Sequence, residues 1–255
     1  MKIKNTLLTI LTFIGVSNLA LAAELKSGYE FLSAESKEMQ DDDFLNSGMQ
    51  SVDAGAELFN TQSANGKSCG TCHGEDGAKL DVKNLAKYPV FDDKLNKPVT
   101  LQQRIHMESE QRLGNKPMKY DSAKVLELEV FVRNLARGEK VNVQTGGKME
   151  PFYEKGKKIY HTKSGQLDMA CTTCHDIYPG FKIRANTLSQ GQSNGFPAYR
   201  LKNGKINGIQ SRFNGCYKQF RAAKRPVGND DYVALEVYVN ARGNGLEIES
   251  PGIRF

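Results

Sequence analysis

Five cysteines carry the chemistry of this sequence, and four of them stand in two copies of one frame. Cys69-Gly70-Thr71-Cys72-His73 and Cys171-Thr172-Thr173-Cys174-His175 both read Cys-x-x-Cys-His. Two thiols at this spacing can add across the vinyl groups of a haem, and the adjacent imidazole is then carried beneath the ring as an iron ligand. A zinc site wants four ligands per metal, and no second Cys or His pair is placed to complete either frame. The expectation is two covalently bound haem c groups, attached through Cys69, Cys72, Cys171 and Cys174. His73 and His175 are then the proximal iron ligands.

The fifth cysteine, Cys216, has no partner in the sequence. Lys2 and Lys4, the uncharged apolar run at residues 7–14 and the small residues of Ala20-Leu21-Ala22 form an export signal, with cleavage expected after Ala22. The apolar run is shorter than the roughly 20 residues a membrane span needs, so no membrane span is expected. Export places the chain in an oxidising periplasm, where a lone thiol is unusual. A structural thiol or an intermolecular disulfide would explain it. A thiolate bound to the second haem iron explains it better, because coordination deprotonates a thiol and stabilises the anion.

Aligning the two halves on arginine sets residues 104–108, Arg-Ile-His-Met-Glu, beside residues 212–216, Arg-Phe-Asn-Gly-Cys. On a helix Arg212 shares a face with Cys216, so its guanidinium can approach the sulfur and hold an oxyanion; an ordinary solvated arginine is the alternative. In the first half the position of Cys216 is taken by Glu108, a poor ligand for a low-spin haem. His106 is the expected distal ligand of the first haem, with Met107 and Met118 as competitors. His161 is expected near the edge of the second haem without ligating it.

The elements that must position these residues are helical and repeated. A segment opening on glycine precedes each frame, Gly55-Ala56-Glu57-Leu58-Phe59 and Gly156-Lys157-Lys158-Ile159-Tyr160. A helix-like run follows each, Leu128-Glu129-Val130-Phe131-Val132 and Leu235-Glu236-Val237-Tyr238-Val239, and both runs close on Ala-Arg-Gly as a glycine C-cap would. The expected fold is mainly α, with two tandem cytochrome c-like domains. Residues 1–22 are the signal peptide, 23–145 the N-terminal domain with haem 1, and 146–255 the C-terminal domain with haem 2 and the active site. Composition agrees: 25% charged and 39% hydrophobic residues with a mean hydropathy of −0.52 exclude a multi-span membrane protein and a disordered chain. A net charge of +6 without a basic run gives no support to nucleic-acid binding, and leaves open an anionic substrate or acidic partner.

At this point the sequence resembles the SoxA family, the larger cytochrome subunits of SoxAX complexes of thiosulfate oxidation. The residues that carry the resemblance are Gly165-Gln166-Leu167-Asp168, the second haem frame, Leu188-Ser189-Gln190-Gly191-Gln192, Asn194-Gly195-Phe196-Pro197, Tyr199-Arg200-Leu201-Lys202, residues 212–216 and residues 241–245. Tyr88-Pro89 and residues 101–105 extend it into the first half. The resemblance implies a heterodimer with the smaller cytochrome SoxX. It also implies the oxidative joining of thiosulfate to a cysteine of the carrier SoxYZ, which gives a cysteine S-thiosulfonate and passes two electrons to cytochrome c. It makes Cys216 the distal ligand of haem 2, the site of a persulfide and of the covalent intermediate, and Arg212 the substrate-binding residue. Diheme members commonly carry a cysteine at the position of Glu108, so the first haem is expected with changed ligation. A diheme thiosulfate dehydrogenase forming tetrathionate and a plain diheme electron carrier are the alternatives.

Overall fold

The computed structural model describes residues 24–255, and the signal peptide read at residues 1–22 lies outside the described residues. The first half comprises α1 (Ala34–Asp41), α2 (Met49–Asn60), α3 (Cys69–His73), α4 (Val82–Leu85), the hairpin β1 (Val90–Asp92) and β2 (Lys97–Val99), α5 (Leu101–Gln111) and α6 (Ala123–Asn134). The second half comprises α7 (Glu150–His161), α8 (Cys171–His175), β3 (Lys182–Ile183), β4 (Asn186–Thr187), β5 (Ala198–Arg200), β6 (Lys205–Asn207), α9 (Ile209–Gln219), α10 (Asp230–Ala241) and β7 (Gly252–Arg254). The order helix, haem-frame turn, hairpin, helix, helix is the same in both.

Each half is built on one helix crossing that only glycine permits. A Cβ on Gly55 would stand 2.7 Å from the Cβ of Phe131 and collide with the backbone carbonyl of Glu127. A Cβ on Gly156 would stand 2.8 Å from the Cβ of Tyr238 and collide with the carbonyl of Ala234. The missing side chain lets α2 lie directly on α6, and α7 on α10. Phe59, Val130, Phe131 and Val132 fill the first core, and Tyr160, Tyr232, Leu235 and Tyr238 the second.

The halves are tied together at both ends. The backbone N–H groups of Val141 and Ile248 donate to Leu246 and Glu139 carbonyls, each at 2.9 Å, so the two post-helix segments run side by side. The N-terminal segment crosses to the far half: Gln40 on α1 accepts a bond from the Ile253 N–H at 2.8 Å. β7 then lies parallel to β5 and antiparallel β6 flanks the other edge, in the order β6-β5-β7.

Between the halves lies a pair of buried carboxylates that the apolar runs conceal. Glu129 accepts a bond from Gln102 Nε2 at 2.7 Å, and Glu236 accepts one from Gln210 Nε2 at 2.8 Å. Each glutamine sits near the start of the helix that follows its hairpin, so each carboxylate anchors one such helix. A cavity of about 30 Å³ is lined by both carboxylates with Arg133 and Asn240, enough for one water. Burial, then the Glu236 charge, pushes Glu129 up to about 8, and burial pushes Glu236 up to about 7. Asp121, Tyr120 and the buried Arg133 are the other ionisable groups that act on this pair.

Both carboxyls bind protons more tightly when folded than when unfolded. Their stabilisation is therefore complete below the ordinary carboxylate value and is lost as pH rises through the folded values. Unfolding free energy should decline from about pH 5 to pH 8, by about 1.4 kcal/mol per pH unit for each carboxyl still protonated. Thermal unfolding across this range checks it, and Glu129→Gln should flatten the decline.

Candidate functional site

The two Cys-x-x-Cys-His frames fold as single helical turns closed by their own threonines. Thr71 Oγ1 accepts from the Ser68 N–H at 2.9 Å, and Thr173 Oγ1 accepts from the Ala170 N–H at 3.1 Å. One turn brings both sulfurs and the imidazole of each frame to one side, as attachment through two thioethers requires.

In the second half the histidine is held ready to ligate. His175 Nδ1–H donates to the Ser189 carbonyl at 2.8 Å, which fixes the tautomer and leaves Nε2 free for a metal. Gly191 backs the ring: its φ is +80°, and a Cβ there would lie 2.8 Å from His175 Cγ. Arg242 locks the surrounding loop by donating to Asp176 at 2.7 Å and to the Gln190 carbonyl at 3.0 Å, with its guanidinium over the Tyr160 ring at 4.6 Å. The sequence marked Arg242 only as part of a helix end, because its partners are remote in the chain.

Cys216, half-buried, approaches from α9, close enough for its thiol to interact with His175. Desolvation raises its pKa, but the His175 hydrogen bond and the charges of Arg212, His175 and Arg200 outweigh it, so the thiol sits below its ordinary value. Cys171 and Cys174 are close enough to feel the Cys216 charge. One imidazole, one opposed sulfur and two flanking thiols form a donor set that fits a covalent haem with axial His and thiolate ligands. Arg212 stands one helical turn before Cys216, and no carboxylate pairs with it among the described residues. α9 is held by Gln210 on Glu236, by Asn214 accepting from the Tyr232 hydroxyl at 2.7 Å, and by Phe213 packed edge-on against that ring. His161 is spent on the Tyr238 hydroxyl at 3.3 Å.

The first half repeats the frame with different occupants. His73 packs near Phe59, with ring centroids 6.2 Å apart. The charge that reaches Cys69 from α5 is that of Glu108, added to the raising effect of burial. Glu108 pairs with Arg104 at 3.8 Å and Arg112 at 3.5 Å, while Arg104 also pairs with Asp92 at 2.6 Å. α5 presents His106 and Glu108 on different faces. Two residues turn the helix by about 200°, which takes His106 off the face shared by Arg104 and Glu108. Its ring stacks on Tyr120, centroids 5.9 Å apart, and its Nε2 is buried without a hydrogen-bond partner. Met118 packs against the first core.

Known proteins share this sequence pattern and fold. The family described as SoxA/TsdA, cytochrome c domain, matches residues 54–141. A protein of Pseudaminobacter salicylatoxidans named L-cysteine S-thiosulfotransferase subunit SoxA is 38% identical, over 89% of this chain and 80% of that protein. Its namesake from Rhodovulum sulfidophilum is 37% identical, over 91% and 80%. The crystal structure of SoxXA from P. pantotrophus superposes with a TM-score of 0.86 at 36% identity, covering 91% of this chain and 87% of that one.

The packing behind His175 makes a direct prediction. Gly191→Ala should displace the ring, lowering stability by roughly 1–3 kcal/mol and perturbing the haem spectrum. Gly146→Ala, where open space surrounds the added methyl, should change neither in the same optical and thermal assays.

Proposed function

The chain belongs to the SoxA family, and from that premise we propose that it is the thiosulfate-conjugating subunit of a SoxAX complex. It carries covalently bound haem c, and on this reading there are two: one on Cys69 and Cys72 with His73 as proximal ligand, one on Cys171 and Cys174 with His175. The cytochrome c-like domains are residues 23–145 and 146–255, the smaller cytochrome SoxX is the partner, and the periplasm is the compartment. Among the described residues no helix is long and apolar enough to cross a membrane.

The observation that carries the reading is the opposition of the Cys216 sulfur to His175 with Arg212 one turn away. Arg212 binds the anionic oxygens of thiosulfate by paired charge-assisted hydrogen bonds, which aims the outer sulfur at Cys216. The neighbouring charges of Arg212 and Arg200 favour the thiolate form of Cys216. The two sulfurs join with loss of two electrons, and the haem, when bound, supplies the exit by which electrons pass to cytochrome c. The thiolate of the SoxYZ carrier cysteine then attacks the outer sulfur. That exchange is redox-neutral: it transfers the thiosulfonate group and returns Cys216 as thiolate.

At the first haem the same reading puts Glu108 on the distal side, held by Arg104 and Arg112. A carboxylate is a weak-field ligand, so the ferric first haem is expected to be high-spin. Glu108→Cys should convert it to a low-spin thiolate spectrum, and His106→Ala should leave it unchanged. Near-infrared magnetic circular dichroism reads both variants. A bis-histidine band that vanishes in His106→Ala would overturn the assignment.

In turnover assays with SoxYZ, Cys216→Ala should lower carrier-dependent thiosulfate oxidation by at least about 100-fold with both haems still attached. Arg212→Ala should raise KM for thiosulfate by about tenfold or more. Full activity in Cys216→Ala would refute the reading, as would tetrathionate formed at the full rate without carrier.

A further inference from the structure

The repeat supplies its own control for the charge around Arg212. Arg104 and Arg212 occupy the same turn of α5 and α9, and the hairpins that precede these helices also correspond. Each hairpin opens after an aromatic residue and a cis proline, Tyr88-Pro89 and Phe196-Pro197. From there the same count of residues reaches Asp92 at the end of β1 and Arg200 at the end of β5. In the first half Asp92 neutralises Arg104 at 2.6 Å. In the second half its counterpart is a second arginine, so the pair that closes one site becomes a pair of like charges in the other.

A third guanidinium lies beside them. Arg254 on β7 is the direct register partner of Arg200 across the parallel β5–β7 ladder, so both side chains leave the same face of the sheet. Arg200, Arg212 and Arg254 line one cleft with Phe196, Ala198 and Asn207. Arg254 is fixed there: Nη1 donates to Gln40 at 2.9 Å, and Nη2, 3.6 Å from Glu249, is buried without a hydrogen-bond partner. Arg200 donates from Nε to the backbone oxygen of Phe255, the last residue of the sequence, at 3.3 Å, which leaves its terminal amino groups unspent. The Arg212 charge reaches both neighbours, and Arg200 and Cys216 feel one another. Three guanidiniums face one side-chain carboxylate, Glu249, and the terminal oxygen of Phe255, and Arg212 pairs with neither, so the cleft is suited to an anion.

We propose that Arg200 is a second substrate-binding residue of the Cys216 site, which holds a sulfur oxyanion jointly with Arg212 while Arg254 supplies fixed charge from behind. This rests on the reading of thiosulfate as substrate, and it gives that dianion two cations in place of one. A tetrahedral sulfonate group bound by two planar forks is fixed in orientation as well as position, which leaves its outer sulfur aimed at Cys216. Arg200 thereby sets affinity for the anion without taking part in sulfur exchange.

Thiosulfate binding to the oxidised holo complex with SoxX, measured by calorimetry in the absence of carrier, tests this directly. Arg200→Asp, which restores the arrangement of the first half, should weaken binding by roughly tenfold or more, and Arg200→Lys should recover part of the loss. Haem spectra and the unfolding temperature report whether the fold is kept. In turnover with carrier at saturating thiosulfate, Arg200→Lys should keep most of kcat while KM rises. Unchanged affinity in Arg200→Asp would overturn the proposal, and would leave the assignments of Cys216 and Arg212 standing. Equal loss of sulfate and thiosulfate binding supports a site that reads the oxyanion, whereas loss of neither overturns it.

Discussion

Cys216 and His175 are carried by separate elements, α9 and α8, and are brought within reach of one another. Everything at the second site depends on keeping them there. His175 is fixed from behind by the Ser189 carbonyl, by the bare backbone of Gly191 and by the loop that Arg242 ties down. Cys216 is fixed through α9, whose own anchors are Gln210 on Glu236 and Asn214 on Tyr232. The Glu236 carboxyl is costly to bury, and it is retained where one hydrogen bond sets the height of the helix that presents the reactive sulfur.

The molecule uses one scaffold twice and spends the two copies differently. Helix crossings on Gly55 and Gly156, haem-frame turns closed by threonine, cis prolines before the hairpins and glutamine-to-glutamate anchors all recur. The chemistry diverges at three positions on the distal side. Where the first half has Asp92, Arg104 and Glu108, the second has Arg200, Arg212 and Cys216. In the first set both carboxylates pair with Arg104, and Arg112 meets the remaining charge of Glu108. The second set carries a reactive sulfur and charge that is not balanced within it.

Much of this was legible in the sequence because it is local. A Cys-x-x-Cys-His frame declares its chemistry within five residues, and an odd thiol in an exported chain points to a special use. The repeated glycine segments and apolar runs gave the helices that the structure contains. Other features needed the third dimension. Glu129 and Glu236 lie inside apolar runs that give no sign of their glutamine partners, and α6 and α10 are buried around them. Arg200 acquires meaning only when β7, the last strand of the chain, aligns Arg254 beside it. On α5 His106 stacks on Tyr120 while the charge of Glu108 reaches Cys69, a division of faces that the linear order does not display.

The central claim is that Cys216 itself forms the bond to the outer sulfur of thiosulfate. Peptide-level mass spectrometry on the oxidised holo complex, incubated with thiosulfate in the absence of carrier and quenched at acid pH, tests it most directly. A thiosulfonate adduct on the Cys216 peptide that disappears when reduced carrier is added is the predicted result. Quantitative haem reduction with Cys216 unmodified throughout would contradict the account.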